Sequence, residues 1–253
     1  MLGSIKARSL WEWSAMGKHP VAKDYFQLGA RAPLVNAFGT WIENGYQKIV
    51  SSTQNRVVSH SWRFWTRGTQ KGHIACGVAR DSSDSTGRPY PLLIMGSGKL
   101  PGWEKNWDLL SFLFEERWVQ IEYLASRRFA DLMQLESEIS RIQVTAEDWA
   151  GCPDHIPEKR GYPYISRDVQ KAAEALLTRN ECYISINSER ESETALIAKY
   201  WNCAIKSRTD IVPNAVFMGG IPEKSYLAIF TRSLTSSDFA QLWSVSLEDQ
   251  IAM

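Results

Sequence analysis

Apolar and polar positions change period several times along the chain, and each change predicts an element. From Trp11 to Gly17 a short run rich in aromatic and small residues predicts a strand, followed by a turn at His19-Pro20. After Pro33, the residues Leu34, Phe38, Trp41, Ile42 and Ile49 recur at helical spacing. An amphipathic helix is therefore expected from Pro33 to about Val50, with proline in the first turn, where its missing N–H costs little. Ser61 to Arg67 alternates strictly, placing Trp62 and Phe64 on one face and Arg63 and Trp65 on the other. His73 to Arg80 and Tyr90 to Gly96 are more uniformly apolar, as in central strands buried on both faces, and the polar run DSSDSTGRP between them predicts a loop.

Trp103 to Phe114 and Arg117 to about Val144 have helical periods. In the second, Trp118, Ile121, Ala125, Leu132, Leu135, Ile139 and Ile142 form one stripe, expected to pack on the sheet. Residues 145–165 hold three prolines and two glycines and break the pattern. They are expected to be an ordered junction between a first α/β region, 1–144, and a smaller one, 166–253. In the latter, Ser166 to Leu177 and Thr194 to Ile205 predict helices. Cys182 to Asn187 predicts a strand, and Ala215 to Gly219 and Ser225 to Thr231 a pair of strands around Ile221-Pro222. Thr235 followed by Asp238 has the spacing of a capping box for a last helix. The order of elements predicts an α/β (α+β) fold with α/β/α layers around a mixed, largely antiparallel sheet.

Composition adds few constraints. The 253 residues carry 29 Lys and Arg against 28 Asp and Glu, a net charge of +1, with no long basic run. That argues against nucleic acid as the partner, because phosphate binding needs concentrated positive charge. No apolar stretch approaches the length of a membrane-spanning helix, and the N-terminus has no signal-peptide core, so direct membrane insertion is not expected. Cys76, Cys152, Cys182 and Cys203 are far apart and form no CxxC pair, which points to reduced thiols and a cytoplasmic location.

Catalytic and metal motifs are largely missing. MGSGKLPG at 95–102 fails as a phosphate loop, because Leu93 stands where the first Gly is needed and Leu100 where Ser or Thr is needed. His19, His60, His73 and His155 have no metal-ligand spacing, and there is no GxSxG elbow. Neither an enzymatic activity nor a cofactor is expected. Three clusters remain. Lys18 and Asp24, beside Tyr25 and Phe26, suit either a ligand site or a turn braced by an ion pair. Asp84, Gly87, Arg88 and Tyr90 suit a turn in which Asp84 bonds backbone amides and Arg88 clamps a carboxylate, inside the fold or on a partner. Trp62, Phe64, Trp65 and Trp103 are core candidates, and any of them left exposed would be an interface anchor.

The same clusters carry a family resemblance. MGKHPVAKDYF (16–26) resembles the N-terminal signature of the TagF (ImpM) family of type VI secretion accessory proteins, with His19 in place of the usual Leu. GVARDSSDSTGRPYPL (77–92) is similar to that family's second signature, and AVFMGGIPEKSYLAIFTRSLTSSDFAQLW (215–243) to its paired strands and closing helix. The resemblance implies a regulator that represses apparatus assembly after translation by binding a forkhead-associated (FHA) domain scaffold protein. Lys18, Asp24, Phe26, Asp84, Arg88 and Tyr90 are then the signature positions that serve binding or hold the fold. Two other classes stand beside it. One is a structural subunit of the apparatus, which the aromatic-rich composition would suit. The other is a nucleotide- or phosphate-linked enzyme using Lys18, Arg88 or Lys99.

Overall fold

A computed structural model of the chain describes residues 11–50, 59–145, 149, 165–187 and 191–245. The expected strands appear as β1 (Glu12–Gly17), β3 (Ser61–Arg67), β4 (His73–Arg80), β5 (Leu92–Lys99), β6 (Glu181–Ser185), β7 (Ala215–Ile221) and β8 (Lys224–Phe230), joined by a short unforeseen β2 (Phe26–Gly29). They form one sheet in the order β2-β1-β5-β4-β3-β7-β8-β6. Every pairing in it is antiparallel, so strands from residues 12–99 and from residues 181–230 share a single sheet across the β3–β7 seam.

Side-chain alternation divides the core. Trp62 and Phe64 of β3, Ala75 and Ala79 of β4, Leu93 and Met95 of β5 and Phe217 of β7 face α1 (Pro33–Val50). That helix buries Val35, Phe38, Trp41, Ile42 and Ile49 against them. Trp65, Ile74, Cys76, Val78, Ile94, Val216 and Ile229 face the opposite layer. That layer holds a 3-10 segment (Trp103–Leu109), α2 (Leu110–Leu113), α3 (Glu115–Ser126), α4 (Leu132–Ile139), α5 (Ile165–Arg179) and α6 (Glu191–Lys206). Helices on both faces of one sheet are the layered α/β class expected.

Two expected helices differ in detail. The segment from Trp103 begins as a 3-10 turn interrupted at Asn106, whose φ of −128° is non-helical, before one α turn at α2. The long helix expected over 117–144 is two helices. Arg127 turns extended (ψ 146°), and Asp131 caps α4 by accepting from the Gln134 N–H at 2.8 Å. The apolar stripe survives the break, and all seven of its residues pack in one cluster. The 145–165 junction lies outside the described residues, apart from Thr145, Trp149 and Ile165.

The chain closes with α7 (Ser236–Leu242), beside α1. Asp238 accepts the Thr235 N–H at 2.6 Å and the Thr235 hydroxyl at 3.0 Å, and takes both terminal nitrogens of Arg232 at 2.7 and 2.8 Å. Just beyond it, Trp243 donates its indole N–H to Asp81 at 2.8 Å, and the His60 ring spans Asp81 at 3.0 Å and the Val245 carbonyl at 2.9 Å. Cys76 and Cys182 are buried free thiols and Cys203 a half-buried one, while Cys152 lies outside the described residues. Burial pushes the Cys182 and Cys203 thiols up to about 12, which leaves both unreactive.

Candidate functional site

Two loops at one end of the sheet build the site: β1–β2 (residues 18–25) and β4–β5 (residues 81–91). They touch because Gly17, at a φ of +116°, ends β1 where a Cβ would lie 2.0 Å from the Pro91 carbonyl oxygen, so only glycine fits. The β4–β5 loop folds on Asp84. Its Oδ1 accepts the Thr86 N–H at 2.9 Å, the Thr86 hydroxyl at 2.6 Å and the Arg88 N–H at 3.1 Å, while Gly87 supplies the positive φ of the turn. Its Oδ2 takes two cations, Lys18 Nζ at 3.0 Å from the other loop and Arg88 Nε at 2.7 Å. Arg88 Nη2 then reaches back to the Lys23 carbonyl at 2.6 Å and to Asp24 Oδ2 at 3.4 Å.

The partners are thus crossed relative to the local reading of the sequence. Lys18 pairs with Asp84, 66 positions away, and Asp24 pairs with Arg88. The Asp84 side chain is wholly covered, whereas Arg88 and Asp24 are 54% and 69% exposed. Burial alone would raise the Asp84 carboxyl. The bonds from Thr86, from Lys18 and from the Arg88 and Thr86 amides outweigh it and hold the group well below the ordinary carboxylate range. The Tyr25 amide and then Arg88 lower Asp24, and the hydrogen bond to Asp84 raises Arg88.

Aromatic rings flank the clamp. Tyr90 meets Tyr25 edge-on at 5.6 Å and Tyr46 of α1 at 5.0 Å, and the Tyr46 hydroxyl donates to the Pro89 carbonyl at 3.2 Å. Tyr25 stays 48% exposed. Phe26 is the signature residue that stands apart, buried in the core on β2. Sequence reasoning passed over Tyr25 as a display residue, Tyr46 as a support and Thr86 as a partner of Asp84. The DYF triplet was the available signal for Tyr25, and nothing local marked Tyr46. Trp62, Phe64, Trp65 and Trp103 are all fully buried and serve as core. Lys99 ends β5 at the far end of the strand from Arg88, so Lys18, Arg88 and Lys99 form no common phosphate site.

The depressed Asp84 carboxyl has a consequence in acid. A group whose folded pKa lies below its unfolded value of about 3.9 contributes stability that is complete above that value and is lost as pH falls through the folded pKa. Asp84→Asn removes the charge that holds Lys18 and Arg88. Its thermal midpoint is expected to lie below that of the parent at pH 7, with the gap closing as pH drops below about 4. Parallel thermal melts between pH 2 and pH 7 measure this, and a gap that is constant with pH would contradict it.

Fold and clamp together define a layered α/β/α protein that locks a charged and aromatic patch onto two mutually braced loops. Among the described residues there is no group of three His, Cys, Asp or Glu able to hold a metal ion, and no helix long and apolar enough to cross a membrane. The solved structure of PA0076 from Pseudomonas aeruginosa PAO1 is similar in fold, with a TM-score of 0.50 at 15% identity, covering 95% of this chain and all of that one. No curated protein sequence matches the chain. The TagF N-terminal domain, type VI secretion system-associated, matches residues 14–143, which include both clamp loops. This chain belongs to that family.

Proposed function

We propose that this chain is a cytoplasmic, non-catalytic accessory protein of a type VI secretion system. It represses apparatus assembly after translation by binding an FHA-domain scaffold protein, with no cofactor. The observation that carries the docking role is the exposure of Arg88, Asp24 and Tyr25 on loops held rigid from beneath by the covered Asp84. A charged pair beside an exposed tyrosine, already ordered before binding, loses little freedom on contact, and Tyr and Arg are enriched among interface hot spots.

The test is a calorimetric titration of the purified chain with the FHA scaffold of the same secretion cluster. Saturable binding is expected, weakened about tenfold or more by Tyr25→Ala and by Arg88→Ala. Lys99→Ala, at the other end of the sheet, should bind as the parent does. An absence of heat at tens of micromolar, roughly the weak end of transient complexes, removes this partner. Deletion of the gene separates the repressor from a structural subunit, since secretion rises in the first case and is abolished in the second.

A further inference from the structure

The turn that follows α7 is fastened to the sheet by a histidine with an acceptor on each side. Period-two alternation puts His60, just before β3, on the same face as Trp62 and Phe64, and Asp81, just after β4, on the same face as Ala75 and Ala79. His60 is 3% exposed. Its Nδ1 lies 3.0 Å from Asp81 Oδ2, and its Nε2 lies 2.9 Å from the Val245 carbonyl oxygen. The ring also lies at 26° to that of Trp243, centroids 6.3 Å apart, and Trp243 in turn stacks on Phe239 at 4.1 Å.

Neither oxygen can donate. A backbone carbonyl only accepts. The Asp81 carboxylate already takes the His60 N–H at 2.9 Å and the Trp243 indole N–H at 2.8 Å. Burial alone would raise this carboxyl, but the bonds from His60 and Trp243 outweigh it and hold the group below its ordinary value, ionised and able only to accept. Both ring bonds are therefore made together only when each nitrogen carries a proton, which is the imidazolium. A neutral ring has one bare nitrogen, whose lone pair would face an oxygen. The bond given up is the one to Val245, because the carboxylate is the stronger acceptor and keeps the remaining proton on Nδ1. Among the described residues, Asp81 is the charged side chain bonded to the ring. Its neighbour Arg80 lies on the other face of the sheet, the acid of α7, Asp238, is taken by Arg232, and the turn at 243–245 brings no charged side chain.

We propose that His60 is a proton-operated latch: the doubly protonated ring ties the turn at 243–245 to Asp81 at the base of the β4–β5 loop, and loss of the Nε2 proton releases that turn. The latch contributes while the ring holds both protons and is lost as pH rises and the second proton leaves. It goes beyond the scaffold reading and does not depend on it. NMR of the intact chain carrying ¹⁵N-labelled histidine tests it between about pH 5 and about pH 9, a span that brackets the ordinary histidine value. The contact with Trp243 identifies the signals of His60, so no variant is needed to assign them. In acid both ring nitrogens should show the imidazolium signature. As the Nε2 proton leaves, amide exchange at Trp243, Ser244 and Val245, corrected for the intrinsic effect of pH, should accelerate about tenfold or more, the range set by losing one hydrogen bond to a charged group. In His60→Gln the corrected exchange should not vary with pH, whereas Arg88→Ala, on the clamp, should follow the parent. A ring with one bare nitrogen throughout overturns the proposal. So does a ring that gives up its proton with no change in exchange, or one that keeps both protons, with constant exchange, across the whole span. Exchange in His60→Gln that rises with pH as the parent's does also overturns it.

Discussion

Trp65→Ala is expected to destabilise the protein by about 3–5 kcal/mol, the cost of emptying a buried tryptophan site. In a chain of this length that lowers the thermal midpoint by roughly 10 °C. Trp65 has no solvent exposure and sits on β3, the strand that joins the two parts of the sheet, with its ring 5.6 Å from that of Trp103 and 6.2 Å from that of Trp107. Taking away one of the three indoles that meet there leaves a void that the layered packing cannot close by moving one helix. Trp65→Phe should cost far less. The Trp65 indole N–H is buried without an acceptor among the described residues, so losing it removes an unmet polar group, worth about 1–3 kcal/mol, while much of the ring remains. Urea titrations of both variants decide the matter. A phenylalanine variant as unstable as the alanine one would show that the indole N–H finds a partner after all.

Arg63→Met is the second large effect, expected at about 2–4 kcal/mol. Removing one member of a buried ion network costs about 3–5 kcal/mol, reduced here because the three side chains are between 22% and 29% exposed. Burial alone would lower the Arg63 pKa, and the Glu122 and Glu115 carboxylates more than reverse it. Without the guanidinium, both carboxylates stay on the inner side of α3, and Glu115 keeps Lys199 at 3.9 Å. The triple variant Arg63→Met, Glu115→Gln, Glu122→Gln should recover most of the loss, because it removes the desolvated charges together. A loss below about 1 kcal/mol for Arg63→Met would mean that the network behaves as a solvated surface cluster.

How much of this was legible in the sequence varied with the range of the interactions. β3, β4 and α1 were visible with their limits because alternation, uniform apolarity and a helical stripe are local patterns, and the in-and-out assignment of Trp62, Arg63, Phe64 and Trp65 followed from period two alone. β2 was missed because four residues on a sheet edge carry too little pattern. The break after Ser126 was missed because neither Pro nor Gly marks it, although Asp131 three residues before Gln134 is a capping signal. At the site, the Asp84 turn was readable from its own residues, but the Lys18–Asp84 bridge is a product of the β1–β5 pairing, which no local spacing encodes. The groove that opens between α3 and α6 was invisible. Its walls and floor come from six separate elements, and each residue in it looks unremarkable in its own segment.

The seam between β3 and β7 also sets a timetable. Phe64 pairs with Phe217, so β3 waits for about 150 further residues before its second neighbour exists. At bacterial or eukaryotic synthesis rates of roughly 5–20 residues per second, that is on the order of 8 to 30 s with one edge of a tryptophan-rich strand open on the ribosome. Arg63 and Arg67 lie within that strand, and charges on an open edge discourage pairing with other chains. Arg63 carries that charge unpaired only until α3, with its glutamates 52 and 59 positions further on, has been made, so Arg67 is the charge that lasts until β7 arrives.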